Sequence, residues 1–388
     1  MNWRYQHTLL AAAFLACFSN NASRLVISPV LPNVIDAFDL SKSVVGLALT
    51  GMWAIYALLQ FPSGVIADRV GDYRVILVSL VLTGLGSLFL ALSPSFFLFG
   101  VAVLALGAGA GLYFVVGTSM LVKSFRRHGQ VLGVHSAAGP AAGLVAPAVA
   151  AAVSVRYGWR PALLLGAVLS FLGAAVFLRH VEPVDGTGTT RDAPDVLATT
   201  VALLKRPSVL YMTFIGVTTA YTWQSFTTFF PTFLVEYRGL TLTNASLVFG
   251  VVFLLSAVTQ PVYGRLSDRF ARETVLALVL STAVVGFGVV VVADPSLVAL
   301  VGVGLLGFGF GWGGVFQSRF MDLFSDAQRG TAYGLVRTIY MFVGSLGSAV
   351  TGILADTAGW AAAYGVVGAV LGLAVVCIAA NRALDLGL

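Results

Sequence analysis

Apolar segments of about 20 residues recur along the whole chain, and each is long enough to cross a hydrocarbon core of about 30 Å. They fall near 8–37, 43–67, 73–93, 96–122, 129–154, 159–179, 207–235, 243–267, 274–293, 296–320, 329–354 and 359–381. Composition excludes the soluble alternatives. Hydrophobic residues make up 58% of the 388 and charged residues only 10%, with mean hydropathy +0.94. Soluble globular chains carry about 25% charged residues, so this chain cannot cover a water-exposed surface of its size. Two cysteines, Cys17 and Cys377, make no disulfide scaffold; each lies in an apolar stretch and is expected to be a small buried side chain. The first segment runs past Arg24 with no small-residue cleavage site, so it is expected to be retained as a span.

The basic residues predict the topology. With both termini cytoplasmic, sixteen Lys and Arg fall on cytoplasmic segments or at their helix ends. Only Lys42, Arg156, Arg160 and Arg238 fall outside. This is the positive-inside bias of a multi-pass protein of the cell membrane. It accounts for the net charge of +6 without nucleic acid. Arg24 and Arg337 are the two basic residues left inside spans. The one long polar stretch, Glu182 to about Asp195, is predicted to be a cytoplasmic linker. It divides the chain into an N-terminal six-helix bundle (1–181), the linker (182–199) and a C-terminal six-helix bundle (200–388).

The halves repeat with an offset of 200 or 201. Gln60, Gly64, Asp68 and Arg69 recur as Gln260, Gly264, Asp268 and Arg269; Pro94-Ser95 recurs as Pro295-Ser296. Gly129 and Gly133 recur as Gly330 and Gly334, and Gly158-Trp159 as Gly359-Trp360. Parallel six-span repeats are one transporter architecture, with substrate held near mid-membrane. The third, sixth, ninth and twelfth spans carry almost nothing polar and are expected to face lipid. The first carries Asn20, Asn21, Ser23 and Arg24; the seventh Tyr221, Trp223, Gln224 and several Thr; the tenth Trp312 and Gln317. Polar groups in a bilayer face a bundle interior or a watery cavity, so the first, fourth, seventh and tenth spans are expected to line a pathway.

On these residues the chain resembles the major facilitator superfamily over essentially its full length. Gly64-Val-Ile-Ala-Asp68-Arg69-Val-Gly71-Asp72-Tyr-Arg74 is similar to the family's loop signature GxxxDRxGRR, departing from it at Asp72. Gly264, Asp268 and Arg269 form the shorter echo of the second half. The resemblance implies an all-α polytopic membrane protein of 12 transmembrane helices, in two six-helix bundles related by pseudo-two-fold symmetry. It also implies a cytoplasmic gate at Gly64, Asp68, Arg69, Gly71, Arg74, Gly264, Asp268 and Arg269. Asp68 would meet the positive end of a helix, and Gly64 would admit a close helix. Gly139-Pro140-Ala-Ala-Gly143 is similar to part of the antiporter signature, but the upstream Gly position holds His135 and the final one Leu144; a bend for tight packing is the other reading. Val103 stands where many exporters of the family carry an Arg tied to proton coupling.

Arg24 and its surroundings, Ser23-Arg24 with Pro29 and Pro32, then Tyr56 to Gly64, resemble the organic-anion branch. That branch carries Asp-Arg and uses the Arg to hold a carboxylate or phosphate; here Ser23 replaces the Asp. A structural Arg bonded to neighbouring carbonyls is the alternative. Arg337 is either a second anion contact or a gate residue, and His135 either a neutral hydrogen-bonded group or a titrating one. All sixteen acids lie in loops or near span ends, which favours an anionic substrate over a cation. The candidate substrate contacts are Arg24, Asn20, Asn21, Tyr56, Tyr113, His135, Tyr221, Gln224, Trp312, Gln317, Arg337 and Tyr340. No metal and no cofactor is expected. An enzyme is not expected either, since the chain has no HExxH, nucleophile elbow or nucleotide loop. The expectation is a monomeric secondary active transporter of a small organic anion, working by alternating access in the lipid bilayer, with H+ or Na+ as coupling ion. Multidrug efflux and a transport-dead membrane sensor are the alternatives.

Overall fold

A computed structural model describes residues 3–125, 128–183, 198, 202–293, 296–324 and 329–388. The linker expected over 182–199 lies almost wholly outside the described residues. Apolar runs without water must satisfy their backbone internally, and here they do so as helices. In the first half these are α1 (Trp3–Leu25), α2 (Ile27–Phe38), α3 (Lys42–Val70), α4 (Asp72–Leu92), α5 (Phe96–Gly111), α6 (Phe114–Ser124), α7 (His128–Tyr157) and α8 (Trp159–His180). In the second half they are α9 (Pro207–Glu236), α10 (Leu242–Arg269), α11 (Arg272–Val292), α12 (Ser296–Gly309), a 3-10 turn at Phe310–Trp312, α13 (Gly313–Met321), α14 (Arg329–Gly344), α15 (Leu346–Thr357) and α16 (Gly359–Ala383).

Four expected spans are therefore each two helices in line. The first breaks at Val26, the fourth at Leu112–Tyr113, the tenth at Phe310–Trp312 and the eleventh at Ser345. Eleven segments among the described residues are long and apolar enough to cross a membrane. The seventh, α9, is a 30-residue helix that also holds the expected span. Its buried Thr218, Thr219, Thr222, Thr227, Thr228 and Thr232 lower its hydropathy. The result is an all-α polytopic membrane fold. Large apolar side chains such as Leu47, Phe97, Val168, Val258 and Val376 stay exposed, as a lipid-facing surface requires. The third span exposes Val78, Phe89 and Leu92 and turns Ser79, Thr83 and Ser87 inward, where all three are buried.

The chain divides into two compact units. One is Met1–Leu40 with Gly51–Asp192; the other is Ser41–Thr50 with Ala193–Leu388. The start of α3 thus groups with the second unit. Asp356 accepts from the Lys42 and Ser43 amides at 3.2 and 2.7 Å, capping α3, and Lys42 pairs with Glu236 at 3.1 Å. Thr50 Oγ1 donates to Ser345 O at 3.0 Å and accepts from Ala349 N at 2.9 Å, so it sits in the α14–α15 break.

Within each unit the same glycine packing recurs. A Cβ on Gly109 would lie 2.5 Å from Thr83 N, and one on Gly309 2.5 Å from Ala283 N. Gly86 presses on Leu106 N at 2.7 Å and Gly286 on Leu306 N at 2.8 Å by the same measure. Gly158 and Gly359, at φ +90° and +83°, make equivalent turns into α8 and α16, a conformation that side chains other than glycine rarely adopt. The duplication read from the sequence is thus a duplication of backbone contacts.

Candidate functional site

In the first unit the polar residues of α1 divide between two faces. Ser19 and Ser23 form a seam with α8: Ser19 Oγ donates to Leu169 O at 2.9 Å, and Ser23 Oγ lies 3.1 Å from Gly166 O and 3.0 Å from Ser170 Oγ. A Cβ on Gly166 would fall 3.1 Å from Ser23 Cα, so α1 and α8 are in close contact there, where the resemblance expects Asp and this chain has Ser23.

Asn20, Asn21 and Arg24 occupy the other face. Arg24 is 8% exposed. Its Nε donates to Asn20 O at 3.2 Å and its Nη2 to Asn21 Oδ1 at 3.0 Å. Its guanidinium carbon lies 4.4 Å from the Tyr56 ring centroid and 4.9 Å from that of Trp53, two rings set edge to face on α3. Asn20 and Asn21 are themselves held. Each amide donates to a carbonyl one turn back, Ala16 O and Cys17 O, and Asn20 Oδ1 accepts from Thr83 at 3.0 Å. Among the described residues no carboxylate pairs with Arg24; Lys123 pairs with Asp72 at 2.9 Å, away from it at the α3–α4 loop. Burying a charge costs several kcal/mol. Cation–π contact returns about 0.5–2 kcal/mol per ring, so the guanidinium stays short of a full complement of counter-charge.

Tyr113 and His135 also meet in this unit. Tyr113 stands at the α5–α6 break and is 2% exposed; His135, on α7, is 1% exposed. Tyr113 Oη lies 2.6 Å from Ala13 O and 3.0 Å from His135 Nε2. One turn further along α7, a Cβ on Gly139 would lie 4.0 Å from the Asn21 amide. The α7 face carrying His135 and Gly139 therefore packs on the α1 face carrying Asn21. In this fully helical packing Gly139-Pro140 lies within the long helix His128–Tyr157.

In the second unit the candidates lie on α9, α13 and α14 and at the 3-10 turn. Gln224 of α9 is fully buried, and neither amide atom has a hydrogen-bond partner. Tyr221 is 9% exposed. A Cβ on Gly347 would fall 2.3 Å from Tyr221 O, so α9 and α15 are in backbone contact beside these two side chains. Trp312 packs on Phe310 at 4.7 Å, within an aromatic cluster that includes Phe226. Tyr340 meets Phe316 edge-on at 5.7 Å, and Arg337, half-buried, donates to Tyr333 Oη at 3.3 Å. Gln317, on α13 after the 3-10 turn, is exposed. Trp53 and Thr83 complete the Arg24 cluster. Trp53 was legible as one of the span aromatics, while Thr83 lay in a span that looked featureless.

In the loop signature, Gly71 takes φ +93°, which explains a glycine there. Asp72, the departure from the pattern, pairs with Lys123 at the end of α6. Asp68 is half-buried; Arg69, Arg74, Asp268 and Arg269 are exposed. Within its own unit Gly64 is not a tight contact. A Cβ there would meet only Val115, at 3.5 Å, and at Gly264 it would meet nothing within 4 Å.

Comparison with known proteins follows this geometry. The family model of the Major Facilitator Superfamily matches residues 9–319. A hexuronate transporter of Bacillus subtilis (strain 168) is 25% identical over 369 residues, covering 89% of this chain and 87% of its own. A nitrite extrusion protein of the same organism is 25% identical over 346 residues, covering 85% and 83%. Among solved structures, a bacterial homolog to the human lysosomal transporter Spinster superposes with a TM-score of 0.82 at 16% identity, covering 98% of each chain. With twelve spans, two copies of one glycine scaffold and this match over most of its length, the chain belongs to the major facilitator superfamily, a family of transporters rather than enzymes.

Proposed function

We propose that this protein is a secondary active transporter of a small organic anion and that Arg24 holds the anionic group. One observation carries the reading: a guanidinium buried in the first unit, braced by Asn20, Asn21, Trp53 and Tyr56, with no carboxylate beside it. A buried cation of this kind is stabilised by an arriving anion, through charge-assisted hydrogen bonds that a planar guanidinium donates well. The names of two relatives, a hexuronate transporter and a nitrite extrusion protein, support an anionic cargo. Transport is by alternating access of the 1–181 and 200–388 halves in the cell membrane, both termini cytoplasmic. The loop residues Gly64 to Arg74 and Gly264 to Arg269 act at the cytoplasmic gate.

Counterflow into proteoliposomes tests this. Radiolabelled D-glucuronate, nitrite, D-glucose and a lipophilic cation such as tetraphenylphosphonium are compared on the same preparation. The expected result is exchange of an anion and none of glucose or the cation. Exchange of the cation alone refutes the anion site and selects multidrug efflux; exchange of nothing favours a transport-dead sensor.

A further inference from the structure

The interior of the first unit has few groups able to carry a proton. Asp36 is exposed near the end of α2, Asp68 and Asp72 lie at the α3–α4 loop, and Glu182 lies beyond α8. His7 and His180 are exposed near helix ends. His135 is the buried histidine of the described residues, and it sits between two fixed partners.

Its tautomer follows from counting protons. A tyrosine hydroxyl has one to donate, and Tyr113 directs it at Ala13 O, 2.6 Å away. At 3.0 Å the hydroxyl must then accept from His135 Nε2. The neutral ring therefore carries its proton on Nε2 and keeps the lone pair of Nδ1 for a second one. The partners lead back to Arg24 along a single face of α1. Ala13, Cys17, Asn21 and Arg24 follow at spacings of four, four and three residues; Asn21 bonds back to Cys17 O at 2.8 Å and forward to Arg24 at 3.0 Å. Helix α7 packs on α1, α2, α6 and α8. From these, Cys17 and Arg24 face it on α1, Tyr113 at the start of α6, Asp36 only near the end of α2, Lys123 (paired with Asp72) at the end of α6, and Arg160, Arg179 and His180 at the termini of α8. Arg24 is the permanent charge of that interior, and it is a cation.

We propose that His135 is the proton-carrying group that couples anion movement to H+. The proposal rests on Arg24 being the anion site. With that site empty, a second positive charge on the same packed face is repelled in a medium of low dielectric. When an anion neutralises Arg24, Nδ1 takes a proton from water while Nε2–H stays on Tyr113; when the anion leaves, the proton leaves. Linkage makes the effect reciprocal: whatever factor the anion adds to proton affinity, protonation adds to anion affinity. Anion binding is then tighter at acid pH and weakens as pH rises, and a monoanion moves with one proton, electroneutrally.

The test uses D-glucuronate and proteoliposomes. Counterflow at equal pH needs no net proton movement, whereas accumulation under a pH gradient does. The wild type should do both, accumulating up to about tenfold per pH unit for one proton. His135→Gln should bind D-glucuronate more weakly, still exchange it by counterflow at saturating concentration, and lose gradient-driven accumulation. As a check independent of the variants folding, wild-type protein in weakly buffered detergent should take up protons on adding glucuronate, and His135→Gln should not. His135→Gln that accumulates like wild type, or that loses counterflow and accumulation together, overturns the proposal. So does wild-type protein that exchanges glucuronate but takes up no proton. Wild type without glucuronate counterflow instead contradicts the anion site on which the proposal stands.

Discussion

The two units share a scaffold and differ in the chemistry inside it. In the first, Arg24, Asn20, Asn21, Ser23 and Thr83 each have a hydrogen-bond partner, while the Gln60 amide and the Ser87 hydroxyl are buried without one among the described residues. In the second, the corresponding helix α9 carries no charge between Pro207 and Phe233. There both amide atoms of Gln224 and the Thr232 hydroxyl are buried without a hydrogen-bond partner. Duplication thus preserved what a helix pair needs to pack, namely glycine at 109 and 309 and at 158 and 359. It left the interior free to diverge: the first holds a buried guanidinium, and helix α9 of the second carries no charge over 207–233. Fold and recognition are separable in this molecule, and variants can test each half against the other.

The largest expected difference is at the loop signature. Asp68→Asn keeps shape and removes charge, and is expected to slow turnover by about 100-fold, or about 2.8 kcal/mol of barrier, with insertion intact. Asp268→Asn, in the exposed short echo, is expected to cost under tenfold. Equal effects at both, measured as initial rates of counterflow, would show that the two loops do not differ in function.

The next contrast concerns the scaffold and should show no asymmetry. Gly109→Ala and Gly309→Ala each place a Cβ 2.5 Å from a backbone nitrogen. Overpacking of this kind costs about 1–3 kcal/mol, so both should lower Tm alike. Gly264→Ala, where a Cβ meets nothing within 4 Å, should leave Tm unchanged. Thermal unfolding in detergent checks all three. A fall at only one of Gly109 and Gly309 would break the claim of equivalent packing.

The smallest effect is expected at Gln224. A buried polar group without a partner costs about 1–3 kcal/mol of desolvation. Gln224→Leu should therefore raise Tm by a few degrees. A lowered Tm would mean that the amide is satisfied and the second interior is as well matched as the first.

Much of this was legible in the sequence. Span length and charge bias needed only hydropathy, and the repeat needed only spacing. Arg24 was visible because a lone cation in an apolar run has no bland explanation. The breaks at Val26, Leu112–Tyr113, Phe310–Trp312 and Ser345 were not visible, because composition is equally apolar on both sides of each. The grouping of Ser41–Thr50 with the second unit depends on Asp356, some 310 positions away. A closer look at the glycines would have helped, since Gly107, Gly109 and Gly111 recur as Gly307, Gly309 and Gly311 at the same offset of 200.

The central claim is that the charged interior binds the cargo's anion through Arg24, and affinity and melting temperature measured on the same purified variants test it most directly. Hydrogen bonds to a charged group are worth about 1.5–3 kcal/mol, or about 10- to 150-fold in affinity. Arg24→Lys keeps charge but loses the planar fork, so it should weaken D-glucuronate binding by about tenfold, and Arg24→Ala should abolish it. Both should melt near the wild-type temperature, because Asn20 and Asn21 are held by α1 itself. A large drop in melting temperature with glucuronate affinity retained would contradict the account and make Arg24 a structural brace.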